Sequence, residues 1–296
     1  MRALLIWNPR ARAGEAAATM AVDVLRSGGW LVDAVRTGDD DRLRDLAREA
    51  VSRSCDVVVA VGGDGTVVEV ASGLVGTGVP LGIIPAGTGN LVAGNLGIPT
   101  GRRAAEALLT GRPRPFDLGQ IDTPRGQRYF AVACGVGFDA LVMDATRSAQ
   151  KRRWGKLAYF ATALGLASGI ANVPHVITLD GVRREVSASQ VFVANMGRMA
   201  RGLSPRLPIL PDDGLLDVLI LRAHGPAQGL LAGWEAIRHP GLGEHPGGRL
   251  LRFRARDVHI EATPDQPIEL DGTRAGTTPL TARAAPGAIS IVVPAR

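Results

Sequence analysis

Short apolar runs alternate with amphipathic stretches through the first third of the chain. Ala3–Trp7, Trp30–Val35, Asp56–Val61 and Leu81–Pro85 read as buried strands. Residues 11–27, 40–54, 66–75 and 90–96 between and after them read as helices, and a further helix over Arg102–Thr110 closes the series. Strand and helix in strict alternation predict a parallel sheet with helices on its faces. The Pro- and Gly-containing piece Gly111–Pro115 then reads as a linker. Beyond it strand-like runs dominate, over Phe116–Asp122, Arg128–Cys134, Val176–Leu179, Arg184–Asn195, Leu215–Leu221, Val258–Glu261 and Ile289–Val293. Helical pieces near residues 140–148, 157–170 and 229–238 interrupt them. The expected fold is therefore an α/β domain over residues 1–115 and a β-rich, antiparallel, sandwich-like domain over 116–296, whose C-terminal tail is free to return to the first.

Composition narrows the class only modestly. With 46% hydrophobic and 21% charged residues over 296 positions, the chain has the make-up of an ordinary globular protein. The formal charge of +6 suits an anionic partner, whether nucleotide, phospholipid surface or nucleic acid. Cys55 and Cys134 both sit in apolar, strand-like surroundings and read as reduced core residues. Residues 1–7 are too short for a secretory leader, and the weakly polar stretch Leu157 to Ala171 falls short of a membrane span. A cytoplasmic protein is expected. Lys151-Arg152-Arg153-Trp154-Gly155-Lys156, with Tyr159 and Phe160 beyond, mixes basic and aromatic residues as an interfacial segment does, and equally as a solvated loop does.

The densest chemical signal is Gly62-Gly63-Asp64-Gly65-Thr66, set between the third strand and the helix that follows. Such a turn aims backbone N–H groups at a phosphate, and its glycines let a ligand approach where a Cβ would block it. It is neither a Walker loop nor a dinucleotide turn, because the residues those motifs need are absent. A second turn, Ala86-Gly87-Thr88-Gly89-Asn90, follows the next strand. Both end at the same carboxyl edge of the sheet, where two turns could clamp one polyphosphate. The amides of Gly63, Gly65 and Thr66 and the hydroxyl of Thr88 are the candidate phosphate donors. Asp64 is the candidate for a magnesium contact, and Glu69, one turn into the helix, for a contact to a ribose or to a group behind the ligand-binding residues. Asn8 and Thr37 lie at the same edge and equally suit a capping role.

The ordered series GGDGT, Val67-Val68-Glu69 and PAGTGN resembles the diacylglycerol kinase catalytic family, which includes bacterial lipid kinases and sphingosine kinases. The resemblance runs on through Asn8-Pro9, Gly135-Val136-Gly137-Phe138-Asp139-Ala140, Gly155-Lys156-Leu157-Ala158-Tyr159, Asp212-Asp213-Gly214-Leu215-Leu216-Asp217 and Leu270-Asp271-Gly272. It implies an ATP- and Mg²⁺-dependent phosphotransferase of phospholipid metabolism. The nucleotide would lie between the two domains and a diacylglycerol-like lipid would be the acceptor at a membrane surface, with no nucleic acid partner. It also places Asn8 and Thr37 near the nucleotide and makes Asp271 the base that takes the proton from the lipid hydroxyl.

The resemblance further implies a structural magnesium loop with Leu210, Asp213 and Leu215 as its positions. Leu210 carries no side-chain oxygen, and Thr273 stands where an acidic residue commonly follows the Asp-Gly pair. Taken without the resemblance, Asp271-Gly272 is a plain hairpin turn. A kinase for a soluble acceptor such as NAD and a non-catalytic nucleotide-binding regulator remain as alternatives. Edge strands in the second domain leave room for a homodimer.

Overall fold

The computed structural model describes residues 1–9, 13–37, 41–123, 126–137, 171–199, 207–223 and 248–295. The elements are, in order, β1 Arg2–Trp7, α1 Gly14–Ser27, β2 Leu31–Arg36, α2 Asp41–Ser52, β3 Val57–Gly62, α3 Asp64–Leu74, β4 Leu81–Pro85, α4 Leu91–Asn95, α5 Arg102–Thr110, β5 Arg112–Thr123, β6 Gly126–Phe130, β7 Ala133–Gly137, β8 Val173–Leu179, β9 Val182–Ala188, β10 Gln190–Ala194, β11 Leu216–Leu221, β12 Leu250–Ala255, β13 Asp257–Ala262, β14 Pro267–Leu270, β15 Thr273–Thr277 and β16 Leu280–Val293. The helical pieces expected near 140–148, 157–170 and 229–238 lie outside the described residues, as does the Lys151–Lys156 segment with Tyr159 and Phe160.

The α/β half follows the alternation read from sequence. β2, β1, β3 and β4 are parallel neighbours in that order. Every residue of β3 and β4 is buried, which is why those runs are continuously apolar, whereas β2 at the sheet edge buries only Val32.

The long C-terminal strand joins the two halves. β16 lies parallel to β4 at Ile291–Leu81 and antiparallel to β13 at its other end, from Asp257–Arg283 to Ile260–Leu280. β5 accompanies it antiparallel from Arg112–Val293 to Ile121–Ala282, with a bulge between Ala285 and Ile289. Gly111–Pro115 is therefore no linker beyond its first residue, since pairing with β16 begins at Arg112. The same sheet continues through β13 to β8 and β9. A second, wholly antiparallel sheet in the order β12-β11-β10-β7-β14-β15 packs against it. Between the two lie Ile121, Phe130, Val136, Val193, Val218, Ile260, Ile268 and Leu280, all buried.

Two apolar runs that read as single strands are each divided between the sheets. Arg128–Cys134 breaks at Ala131-Val132, where β6 in the first sheet gives way to β7 in the second. Arg184–Asn195 breaks at Ser189, separating β9 from β10. Cys55 and Cys134 are free and buried, as expected. No helix among the described residues is long and apolar enough to cross a membrane.

The crossing at Ala131-Val132 is held by Asn195, which has no solvent exposure. Its Nδ2 donates to the carbonyl of Ala131 at 3.0 Å and to that of Asp117 at 2.9 Å, and its backbone N–H donates to the carbonyl of Val132 at 2.9 Å. Replacing the side chain leaves two buried carbonyls without that donor. Asn195→Ala should lower unfolding free energy by roughly 2–5 kcal/mol in a denaturant titration. A loss within experimental error of zero would show that the crossing is held elsewhere.

Candidate active site

Both glycine turns sit at the carboxyl edge of the parallel strands, and they touch through bare backbone. A Cβ on Gly87 would fall 2.4 Å from the Cα of Gly63, so nothing larger than glycine fits there without moving one turn. The carbonyl of Gly62 accepts the N–H of Ala86 at 2.8 Å, fixing the level of one turn against the other. α3 starts immediately after Gly63, its N-cap, which is extended and contributes no side-chain cap. The amides of Asp64, Gly65 and Thr66 therefore have no partner within the helix. They form an anion-attracting end, reinforced by the dipole of an eleven-residue helix. Thr66 is buried, and its Oγ1 lies where a Cβ on Gly62 would fall.

The second turn spends its polar groups internally. Asn90, in the left-handed region at φ 51°, accepts the Gly87 N–H on Oδ1 and donates from Nδ2 to the Gly87 carbonyl, both at 2.9 Å. Asp64 Oδ1 accepts the N–H of Val92 at 3.0 Å, capping α4 from the opposite turn. The Gly87 amide is thus occupied, while Thr88, whose hydroxyl is the candidate donor of this turn, sits at its exposed tip. Asp64 Oδ2 points toward Gly89, where a Cβ would stand 2.7 Å from it.

Two of the remaining candidates from the first half, Asn8 and Thr37, fall at the same edge. Asn8 directly follows β1 and Thr37 directly follows β2, with 5% and 3% exposure. The N–H of Thr37 donates to the Trp7 carbonyl at 3.0 Å, and the Arg36 guanidinium lies 5.6 Å from the Trp7 ring centroid. Glu69 faces α2, where its carboxylate is ion-paired with Arg44 at 3.1 Å.

Asp271 comes from the other half. It opens the two-residue Asp-Gly turn between β14 and β15, at φ 42° followed by 86°, the left-handed pair such hairpins require. The hairpin reading is therefore correct, but the side chain does more than close a turn. Its Oδ2 accepts the N–H of Ala131 at 2.7 Å, and its Oδ1 accepts those of Val132 and Ala133, both at 2.9 Å. Ala131 and Val132 belong to the same apolar cluster as Val67 and Val68 of α3, which brings this carboxylate to the α3 side of the molecule. Burial pushes the Asp271 pKa up, the three amides pull it down, and the nearby Asp64 carboxylate raises it again, to about 6. Thr273, at the position of the expected acid, closes the turn by donating from Oγ1 to the Leu270 carbonyl at 2.8 Å.

The structure gathers Asn8, Thr37, the Gly62–Thr66 turn, Thr88 and Asp271 around one edge. Asp213, Leu215 and Leu210 belong to a different loop. There Asp213 accepts the Leu215 N–H at 3.1 Å and is ion-paired with Arg254, while Leu210 is 56% exposed. Phe138 and Asp139 lie outside the described residues. Asn195 and the Asn95–Arg198 contact were not singled out from sequence. Asn95 Nδ2 donates to the Arg198 carbonyl and its Oδ1 accepts the Arg198 N–H, both at 2.9 Å, pinning α4 to the strand-end loop of the second half. An Asn closing a strand or short helix carries no sequence signal for such a role.

The diacylglycerol kinase catalytic domain matches residues 2–121, and the YegS C-terminal NAD kinase beta sandwich-like domain matches residues 132–293. A diacylglycerol kinase of Mycobacterium tuberculosis (strain H37Rv) is 33% identical over 303 residues, covering 98% of this chain and 94% of its own. The chain belongs to the diacylglycerol kinase family. A diacylglycerol kinase of Bacillus subtilis (strain 168) is 30% identical, over 79% of this chain and 76% of its own. In fold, a crystal structure of a diacylglycerol kinase from Bacillus anthracis str. Sterne superposes with a TM-score of 0.74 at 22% identity, covering 99% of this chain and 96% of that one. Membership of this lipid kinase family makes the chain a phosphotransferase by kinship, with the α/β half and the antiparallel sandwich as its two parts.

The contact between the turns gives a direct check. Gly87→Ala should push the two turns apart and weaken nucleotide binding by at least about tenfold, roughly 1.4 kcal/mol. The global unfolding midpoint should move far less, since the strain falls on two turns at the sheet edge and not on the core strands. Unchanged nucleotide affinity by calorimetry would mean that the packing of the turns does not shape a binding site.

Proposed function

We propose that the protein transfers the γ-phosphate of ATP to a hydroxyl of diacylglycerol or a related lipid at a membrane surface. The observation that carries the reading is the Asp271 carboxylate, with a pKa near 6, set within electrostatic reach of Asp64 on the glycine-turn helix. A base with that pKa is ionised at neutral pH and still basic enough to accept a hydroxyl proton as the transition state forms. Oδ1 accepts two amides and so uses both its lone pairs, whereas Oδ2 accepts one and keeps a second lone pair for the incoming proton.

In this reading the amides of Gly63, Gly65 and Thr66, with Gly62 behind them and the hydroxyl of Thr88 opposite, hold the phosphate chain. Asn8 and Thr37 border it at the sheet edge, and Glu69 fixes α3 against α2 through Arg44. Asp64 retains Oδ2, the oxygen outside its bond to Val92, to meet a magnesium ion. That ion would supply neutralisation of charge on the transferring phosphoryl group. Asp271 removes the lipid proton, the freed oxygen bonds to the γ-phosphorus, the bond to the β-phosphate oxygen breaks, and ADP leaves. The protein would act in the cytoplasm, meeting the bilayer peripherally, with the Lys151–Lys156 segment drawn to anionic lipid. The exposed edge strand β9 is where a homodimer would pair.

The test is transfer from labelled ATP with magnesium to a panel of lipids in vesicles of varied anionic content, with NAD as a soluble acceptor alongside. Product on a diacylglycerol-type lipid, rising with anionic content and falling with salt, is expected. Product on NAD alone would replace the reading with a soluble-acceptor kinase. Nucleotide binding with no transfer to any acceptor would leave a regulator.

The pH dependence follows from the sign of the Asp271 shift. Its folded pKa lies above the ordinary value of 3.8, so the proton is held more tightly in the folded state, and the group favours folding at low pH and costs stability as pH rises through about 6. Activity runs the opposite way, because only the ionised form accepts a proton. kcat/KM should climb with pH through an apparent pKa of about 6. Asp271→Asn should lower kcat by roughly 10²–10⁴. It should also reduce stability, because the carboxamide presents a donor to one of the three amide donors. A profile flat across that pH, or full activity in Asp271→Asn, removes Asp271 as the base.

A further inference from the structure

Family kinship implies a divalent cation in the loop around Asp212-Asp213-Gly214-Leu215, and the residues present do not fit one. Leu210 could offer no more than its main-chain carbonyl and is 56% exposed. Asp213 is the one carboxylate of the expected set, and both its oxygens have donors. Oδ1 accepts the Leu215 N–H at 3.1 Å, and Oδ2 takes the Arg254 guanidinium. Among the described residues no group of three or more His, Cys, Asp or Glu side chains is arranged to hold a metal. A hard dication would meet one carboxylate already covered by a permanent cation, and would have to displace it.

We propose that arginine side chains hold this loop in place of a divalent cation. Each of its acidic residues, and Asp217 just beyond it on β11, has an arginine partner. Arg114 from β5 meets Asp212 at 3.1 Å, Arg254 from β12 meets Asp213, and Arg252 from β12 meets Asp217 at 2.5 Å. Arg252 also donates from a terminal nitrogen to the Pro208 carbonyl at 2.9 Å, the kind of main-chain oxygen a metal would otherwise collect. The guanidinium suits the task because it stays charged at any relevant pH and presents several donors in one plane.

The loop is then fastened to the strand pair that spans both halves. Asp117 on β5, 3% exposed, accepts the Gly214 N–H on Oδ2 at 2.6 Å and the Gly287 N–H on Oδ1 at 2.7 Å. Its own N–H donates to the Pro211 carbonyl at 2.7 Å. Loop, β5 and the β16 bulge are thus joined by direct bonds that need no ion. In β12, Leu250–Ala255, arginines alternate with apolar residues, the period of a half-buried strand. That alternation puts Arg252 and Arg254 on one face, against Asp217 and the loop.

The inference does not depend on which acceptor the protein phosphorylates, and its test avoids activity. Thermal unfolding of the full chain, without nucleotide, should give the same midpoint in chelator and in excess magnesium. Manganese, added as a spin probe, should show no bound ion that Asp213→Asn removes. Arg254→Met, which keeps much of the stem but not the charge, should lower the midpoint. It should also create a divalent-dependent rise that the wild type lacks. Magnesium stabilisation of the wild type that Asp213→Asn abolishes and Asp64→Asn leaves intact would overturn the proposal. So would an Arg254→Met protein as stable as wild type with no response to divalent ions.

Discussion

Three successive amides on one carboxylate hold the place where the chain crosses from one sheet of this protein to the other. At Ala131-Val132 the chain leaves one sheet for the other, and no ladder satisfies its polar groups there. Asp271 accepts the N–H groups of Ala131, Val132 and Ala133, and its own N–H donates to the Ala133 carbonyl at 3.1 Å. Asn195 and its neighbour Met196 supply donors for the carbonyls of Ala131 and Val132. Each backbone group of the crossing is therefore accounted for by two side chains and one stretch of main chain. The crossing also packs on the apolar cluster of the α/β half, so an architectural device delivers a carboxylate to the glycine-turn side.

The same economy governs the electrostatics. Asp64 caps α4 across the gap between the two turns, and its charge helps to raise the proton affinity of Asp271. Were Asp64 to meet a cation as proposed, that repulsion would weaken and the Asp271 pKa would fall, favouring its ionised form. The loop around Asp213 follows a different course, since its carboxylates are balanced by arginines from β5 and β12. Two acidic regions in one chain thus have opposite needs, and their partners separate them.

Much of this was legible in the residues. The alternation of apolar runs and helical stretches gave the parallel sheet, and the glycine turns marked the carboxyl edge at which they lie. Placement of Asp271 depended on the ordered motif series, because an Asp-Gly pair alone reads as the hairpin turn it also is. What the residues concealed were the places where a run of apolar residues changes sheets. Arg128–Cys134 is uniformly strand-like, and only long-range partners such as Asp271 and Asn195 mark its break. β15 was hidden for a related reason, since an arginine, threonines and a glycine dilute its apolar pattern. The pairing of Asp213 with Arg254 spans 41 positions, beyond any local spacing rule.

The central claim is that Asp271 and Asp64, from opposite halves, face each other closely enough to couple. Carbon-13 NMR titration of the Asp271 carboxyl in the intact protein measures this directly. The account predicts a midpoint near 6 in the wild type. It predicts a lower one in Asp64→Asn, where the side-chain oxygen can still accept the Val92 amide but the charge is gone. An ordinary carboxylate midpoint in the wild type, or one that Asp64→Asn leaves unmoved, would contradict it.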